Sequence, residues 1–255
     1  MYGWRARIGY VSPSPVDGPG LNFYSVCPPG VTLVCTNLTV HEIDESVLGR
    51  ADEAVLHAVK ALAKDEVDYI VLAGEPVVFL SGYSQVHRWQ ELVRSVTDIP
   101  MTTNVMAAVE ALHHLGVRRP AVLVPYRVRG EDGSDRTDLL KTFLEDAGFE
   151  VSGFRGLGVP SNLAISRLPH YLPYQEAKKL IAQTPGADGL YIPCARWAAF
   201  DHIERLEQDL GIPVVSSIQS WIWKAFRDLG IRDPIPGHGR LLHSARVEST
   251  GGVPT

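Results

Sequence analysis

Short runs of β-branched and apolar residues alternate with amphipathic helical patterns almost from end to end of this chain, and that alternation narrows the possible folds more than any other feature. The apolar runs fall at 7–11, 31–38, 69–73, 121–125, 190–193 and 213–216. They are near-continuous rather than alternating, as parallel strands covered on both faces should be. In 41–64 the residues Val47, Leu48, Ala51, Val55, Ala58, Val59 and Leu62 recur at helical spacing. In 135–147, Leu139, Leu140, Phe143 and Leu144 do the same, and Gly148 is placed to end the helix. Strand and helix in alternation predict an α/β fold built on parallel sheets.

A long internal repeat refines that expectation. Val67-Asp68-Tyr69-Ile70-Val71-Leu72-Ala73-Gly74 reads like Ala187-Asp188-Gly189-Leu190-Tyr191-Ile192-Pro193-Cys194. Downstream, Ile99-Pro100 and a helix ending at Leu115-Gly116 parallel Ile212-Pro213 and a helix ending at Leu229-Gly230. Two pseudo-symmetric lobes explain the repeat, each a parallel sheet flanked by helices, with the active site in the cleft between them. The expected division is residues 1–115 with 222–255 in the first lobe and 116–221 in the second. Positions 74 and 194 then face each other at the carboxyl ends of two strands, where such sheets bind ligands.

Composition removes several classes of function. The 255 residues carry 24 Lys and Arg against 29 Asp and Glu, a formal charge of -5 without a basic patch, so no nucleic-acid partner is expected. No apolar run reaches the length of a membrane span, and the first residues lack the apolar stretch of a signal peptide. Three cysteines at irregular spacing do not make a disulfide framework, which predicts a cytoplasmic protein with free thiols. The nine histidines show no metal-ligand spacing, so no metal is expected. The glycines in 153–158 are wrongly spaced for a dinucleotide turn, and no Walker A loop is present. Hence no cofactor is expected.

Cys194 is the residue most suited to chemistry. It follows a buried strand and precedes what reads as the start of a helix, where exposed amides would favour a thiolate and lower its pKa. A small buried filler is the competing reading. Cys35 looks like core, and Cys27 precedes Pro28-Pro29-Gly30 in a loop. The charged segment 127–135 after Tyr126 reads as a mobile loop able to act as a lid. The tail 248–255 is small and polar and is expected to be disordered.

Several of these features together resemble a known family. Gly9, Pro13-Ser14, Leu72-Ala73-Gly74, Leu115-Gly116-Val117-Arg118-Arg119, Tyr126, Cys194, the run from Gly211 to Ser217 and Pro236-Gly237-His238-Gly239-Arg240-Leu241 are similar, in order, to the arylmalonate decarboxylase and maleate isomerase branch of the aspartate/glutamate racemase superfamily. Racemases and maleate isomerases there carry one cysteine in each half. Arylmalonate decarboxylase keeps the second and has glycine at the first, the pattern of Gly74 and Cys194. The resemblance implies a cofactor-independent enzyme, monomeric or homodimeric, acting on a small carboxylic acid. Cys194 would be its acid/base, with Tyr126, Pro13, Ser14 and the amides around Gly74 cradling the developing enolate.

One departure changes the expected site. After the glycine, the decarboxylase pattern has two hydroxyl residues that bind the substrate carboxylate, and here those positions are Glu75 and Pro76. Glu75 would repel a carboxylate, and Pro76 has no amide hydrogen to donate. The glycine following the cysteine is replaced by Ala195. The leading expectation is a lyase that decarboxylates a substituted malonate, with Cys194 protonating the enediolate. The alternatives are an isomerase or racemase using a Glu75/Cys194 acid–base pair, and a non-catalytic small-acid binding protein.

Overall fold

The structure, a computed structural model, describes residues 2–15, 18–38 and 48–243, with backbone alone at 48–50. It contains two four-stranded parallel sheets. In chain order the first unit comprises β1 (Ala6–Ser12), α1 (Gly18–Val26), β2 (Val31–Asn37), α2 (Leu48–Lys64), β3 (Tyr69–Leu72), α3 (Glu75–Phe79), α4 (Val86–Arg94), β4 (Met101–Thr103) and α5 (Asn104–His114). The second comprises β5 (Pro120–Tyr126), α6 (Leu139–Asp146), β6 (Gly153–Val159), α7 (Asn162–Ser166), α8 (Leu172–Ala182), β7 (Gly189–Ile192), α9 (Ile203–Leu210) and β8 (Val214–Ser216), and α10 (Ser217–Asp228) and α11 (Gly239–His243) follow it. The strand orders are β2-β1-β3-β4 and β6-β5-β7-β8, the same topology twice.

The pseudo-twofold relation extends to individual hydrogen bonds. Asp68, just before β3, accepts from the Arg7 amide at 2.7 Å, and Asp188, just before β7, accepts from the Arg119 amide at 2.7 Å. Val71 pairs with Tyr10 in one sheet, and Tyr191 pairs with Val122 in the other. Thr103 caps α5 through the Met106 amide, while Ser216 and Gln219 form a reciprocal capping box on α10.

Helices α5 and α10 tie the two units together. They pack most extensively against each other, and each also touches β4 and β8. Buried side chains run round most of α10, including Ile218, Trp221, Ile222 and Phe226, as expected of a helix enclosed between layers. Trp221 lies 5.1 Å from the Tyr10 ring and stacks on Phe23 at 5.8 Å. Each such buried aromatic contributes about 2 kcal/mol relative to exposure.

Two strands lie where none was expected. β6 reads Gly-Phe-Arg-Gly-Leu-Gly-Val and is an edge strand with no fully buried residue, so it carries no continuous apolar run. β4 has three residues and is also an edge. The helical stripe of α2 holds at Ala51, Val55, Ala58, Val59 and Leu62, all buried. The start of that pattern, with Val47, and the tail 248–255 lie outside the described residues. The segment 127–135 is knitted rather than open: Arg129 bridges Asp135, the Gly130 amide donates to the Ser134 carbonyl, and Val128 is buried. No helix among the described residues is long and apolar enough to cross a membrane.

Candidate active site

The carboxyl ends of β3 and β7 meet. Each strand runs two residues past its last pairing into a left-handed turn, with φ of 97° at Gly74 and 88° at Cys194. Gly74 adopts that conformation freely, whereas Cys194 is strained by about 1–3 kcal/mol. A non-glycine residue held there at a strand end points to a demand for its side chain. The thiol itself is buried, at 7% exposure.

Glu75 opens α3 directly after Gly74 and is 3% exposed. Its Oε1 accepts from the Cys194 amide at 3.4 Å, a contact that joins the two strand ends. Ser217, Asn104 and Glu75's own backbone N–H lie close enough to favour the charged carboxylate and oppose the effect of burial. Asn104 Nδ2 in turn donates to Ser217 Oγ at 2.9 Å. Asn104 and Ser217 are the first residues of α5 and α10, so pseudo-equivalent positions converge on one acid. Burial still outweighs these donors and raises the Glu75 pKa above the ordinary 4.5.

Burial, and then the Glu75 charge, push the Cys194 thiol up to about 12. The amides of Arg196 and Trp197 and the Arg196 guanidinium oppose that rise without cancelling it. This reverses the lowered pKa expected from sequence. Burial is the reason, and the helix expected to offset it is absent: residues 195–199 form turns, a 3-10 turn follows at Phe200–His202, and α9 begins only at Ile203. No helix starts beside the sulfur, so no macrodipole acts on it.

Tyr126 ends β5, and burial, followed by the Glu75 charge, raises its pKa. Its hydroxyl is buried without a hydrogen-bond partner, so it stands ready to donate to a ligand. Pro13 presses on Gly74: a Cβ built there would lie 2.4 Å from Pro13 Cγ. Ser14 Oγ, buried, accepts from Arg196 Nη2 at 2.8 Å. Pro76 is in the first turn of α3, and Ala195 follows the thiol, half-buried. All eight residues expected at the site therefore lie in, or directly beside, the segments that meet at the cleft.

Four residues there were not expected. Tyr191, on β7, has a buried hydroxyl without a partner, and its pKa is raised by burial, then by Glu75 and Cys194. Tyr10, on β1, has a pKa raised by burial and then by Glu75, a rise that Asn104 opposes. Asn104 and Ser217 complete the set. Extending the Ile-Pro repeat by four residues would have reached both, since each lies four after its proline. Among the described residues, no group of three or more His, Cys, Asp or Glu is gathered as metal ligands would be.

Comparison with known proteins agrees with this geometry. The sequence profile of the arylmalonate decarboxylase family matches residues 13–242. The chain is 27% identical over 229 residues to arylmalonate decarboxylase of Bordetella bronchiseptica, covering 89% of this chain and 90% of that one. It is 25% identical over 229 residues to maleate isomerase of Pseudomonas putida, covering 87% and 88%. A solved double mutant of arylmalonate decarboxylase, with a glycine changed to cysteine and a cysteine to serine, superposes in its liganded form with a TM-score of 0.81. That pair is 25% identical and covers 92% of this chain and 98% of the mutant. The two parallel sheets, the shared cleft and the family match agree: this chain belongs to the arylmalonate decarboxylase family and is an enzyme of the racemase-like superfamily.

Proposed function

We propose that the protein is a cofactor-independent decarboxylase of a small substituted malonate-type acid. The supporting observation is a single buried thiol at the end of one strand, with glycine and no second thiol at the end of the strand that meets it. In this reading one carboxylate leaves as carbon dioxide, and the electron pair of the broken C–C bond remains as an enediolate. The unpartnered Tyr126 hydroxyl donates to an enediolate oxygen, and the Arg196 and Trp197 amides limit the cost of forming a thiolate. The Cys194 S–H then protonates carbon from one face, and the thiolate recovers its proton from Glu75 or solvent.

The buried Glu75 favours a second reading, in which it acts as the opposite base of an isomerase or racemase. Phenylmalonate turnover in deuterated water separates the two. Decarboxylation gives carbon dioxide and one deuterium at the α-carbon, and Cys194→Ala lowers the rate about 100-fold or more. Exchange of the α-hydrogen without carbon dioxide, or full turnover by Cys194→Ala, would overturn the lyase reading.

A further inference from the structure

Arg196 puts a basic group beside the thiol, and its guanidinium has no part in the chemistry above. It lies two residues after Cys194 and is half-buried. Its charge acts on the sulfur, against burial and Glu75. Nη2 donates across the cleft to Ser14 Oγ at 2.8 Å and to the Pro15 carbonyl. The neighbouring Ala195 carbonyl would lie 3.0 Å from a Cβ on Gly18, so this arm is held closely against the first unit. The pseudo-twofold relation that matches Gly74 with Cys194 matches Pro76 with Arg196, so the two arms differ in charge. One carries Glu75, the other carries a guanidinium.

We propose that Arg196 is the receptor for the substrate's retained carboxylate, which restricts the substrates to acids with a carboxylate on the carbon facing Cys194. This rests on the reading of the site as one that handles carboxylic acids. A guanidinium has five N–H donors, and the two contacts to the first unit share one nitrogen. A carboxylate takes two parallel N–H bonds from the same fork. Binding there sets a cation against the anion and offsets Glu75, which touches the Cys194 amide and occupies the position where the resembling pattern has a hydroxyl.

Iodoacetate and iodoacetamide test this without knowledge of the natural substrate. The reagents are near-isosteric and differ in charge. Each forms a thioether as iodide leaves and the thiol proton passes to water. Mass spectrometry gives the ratio of the two products at Cys194 and, in the same sample, at Cys35, which is exposed on the edge strand β2 rather than in the core as its sequence context suggested. The iodoacetate preference at Cys194 should exceed that at Cys35 by about tenfold. Arg196→Gln should reduce it to the Cys35 value, and Arg196→Lys should retain part of it. Loss of the cation also raises the thiol pKa, but that slows both reagents and cancels in the ratio.

An equal ratio in wild type and Arg196→Gln would show that Arg196 only holds the Ser14 loop. A wild-type ratio no higher than at Cys35 overturns the proposal even if the variant does not fold. Absence of carbon dioxide release from phenylmalonate leaves this ratio untouched, so the two proposals fail separately.

Discussion

Glu75 is a costly residue for the fold to keep. Its carboxyl is buried, its pKa is raised, and its donors do not fully offset the lost hydration. Between the unfolded pKa near 4.5 and the raised folded value, the native state binds more protons than the unfolded one. Stability therefore falls as pH rises through that window and stays low above it. Glu75→Gln removes the titration while keeping an acceptor for the Cys194 amide. The variant should be more stable than wild type near neutral pH by about 1–3 kcal/mol, and the gap should close below about pH 4.5. Urea unfolding at pH 4 and pH 7.5 measures both, and an equal gap at the two pH values would mean that Glu75 does not titrate in this way. At this scale the sequence showed which residue departs from its relatives' pattern. It did not show what surrounds Glu75, because Asn104 and Ser217 come from helices far apart in the chain and meet only through the crossing of α5 and α10.

At the scale of elements, legibility followed length and composition. β1, β3, β5 and β7 read directly as apolar runs, as do the edge strands β2 and β8, whereas edge strands β4 and β6 are too short or too rich in glycine. The turn after β7 differs from the helix that its composition predicts. Ala195-Arg196-Trp197-Ala198-Ala199-Phe200 has helical composition, but Cys194 leaves the strand at φ 88°, and the chain turns repeatedly before α9. That geometry makes a prediction about the element. In most contexts alanine is more stable than glycine by about 0.5–1 kcal/mol. At position 194 the order should reverse, with Cys194→Gly at least as stable as Cys194→Ala, because glycine alone relieves the left-handed strain. Urea midpoints of the two inactive variants decide it. The usual order, alanine above glycine, would mean that the turn relaxes when the sulfur is removed.

The whole molecule is one α/β unit used twice, and its stereochemistry should follow from that duplication. If the active carbon lies between the two strand ends, moving the thiol from position 194 to 74 moves the proton donor to the opposite face. The structure also shows what stands in the way. A Cβ at position 74 would lie 2.4 Å from Pro13 Cγ, and the backbone φ there is 97°, so Gly74→Cys alone should be strained. Pro13→Ala removes the obstructing ring carbon while leaving a Cβ on the loop. The triple variant Pro13→Ala, Gly74→Cys, Cys194→Ser should therefore fold and decarboxylate a disubstituted malonate slowly. Its product should have the configuration opposite to that of wild type, because protonation of a planar enediolate from the other face inverts the new centre. Chiral chromatography of product formed in deuterated water gives configuration and deuterium content together. A folded triple variant that retains the wild-type configuration would show that position 74 does not reach the carbon served by Cys194. In that case the two strand ends, though they touch through Glu75 and the Cys194 amide, would not share one reaction centre.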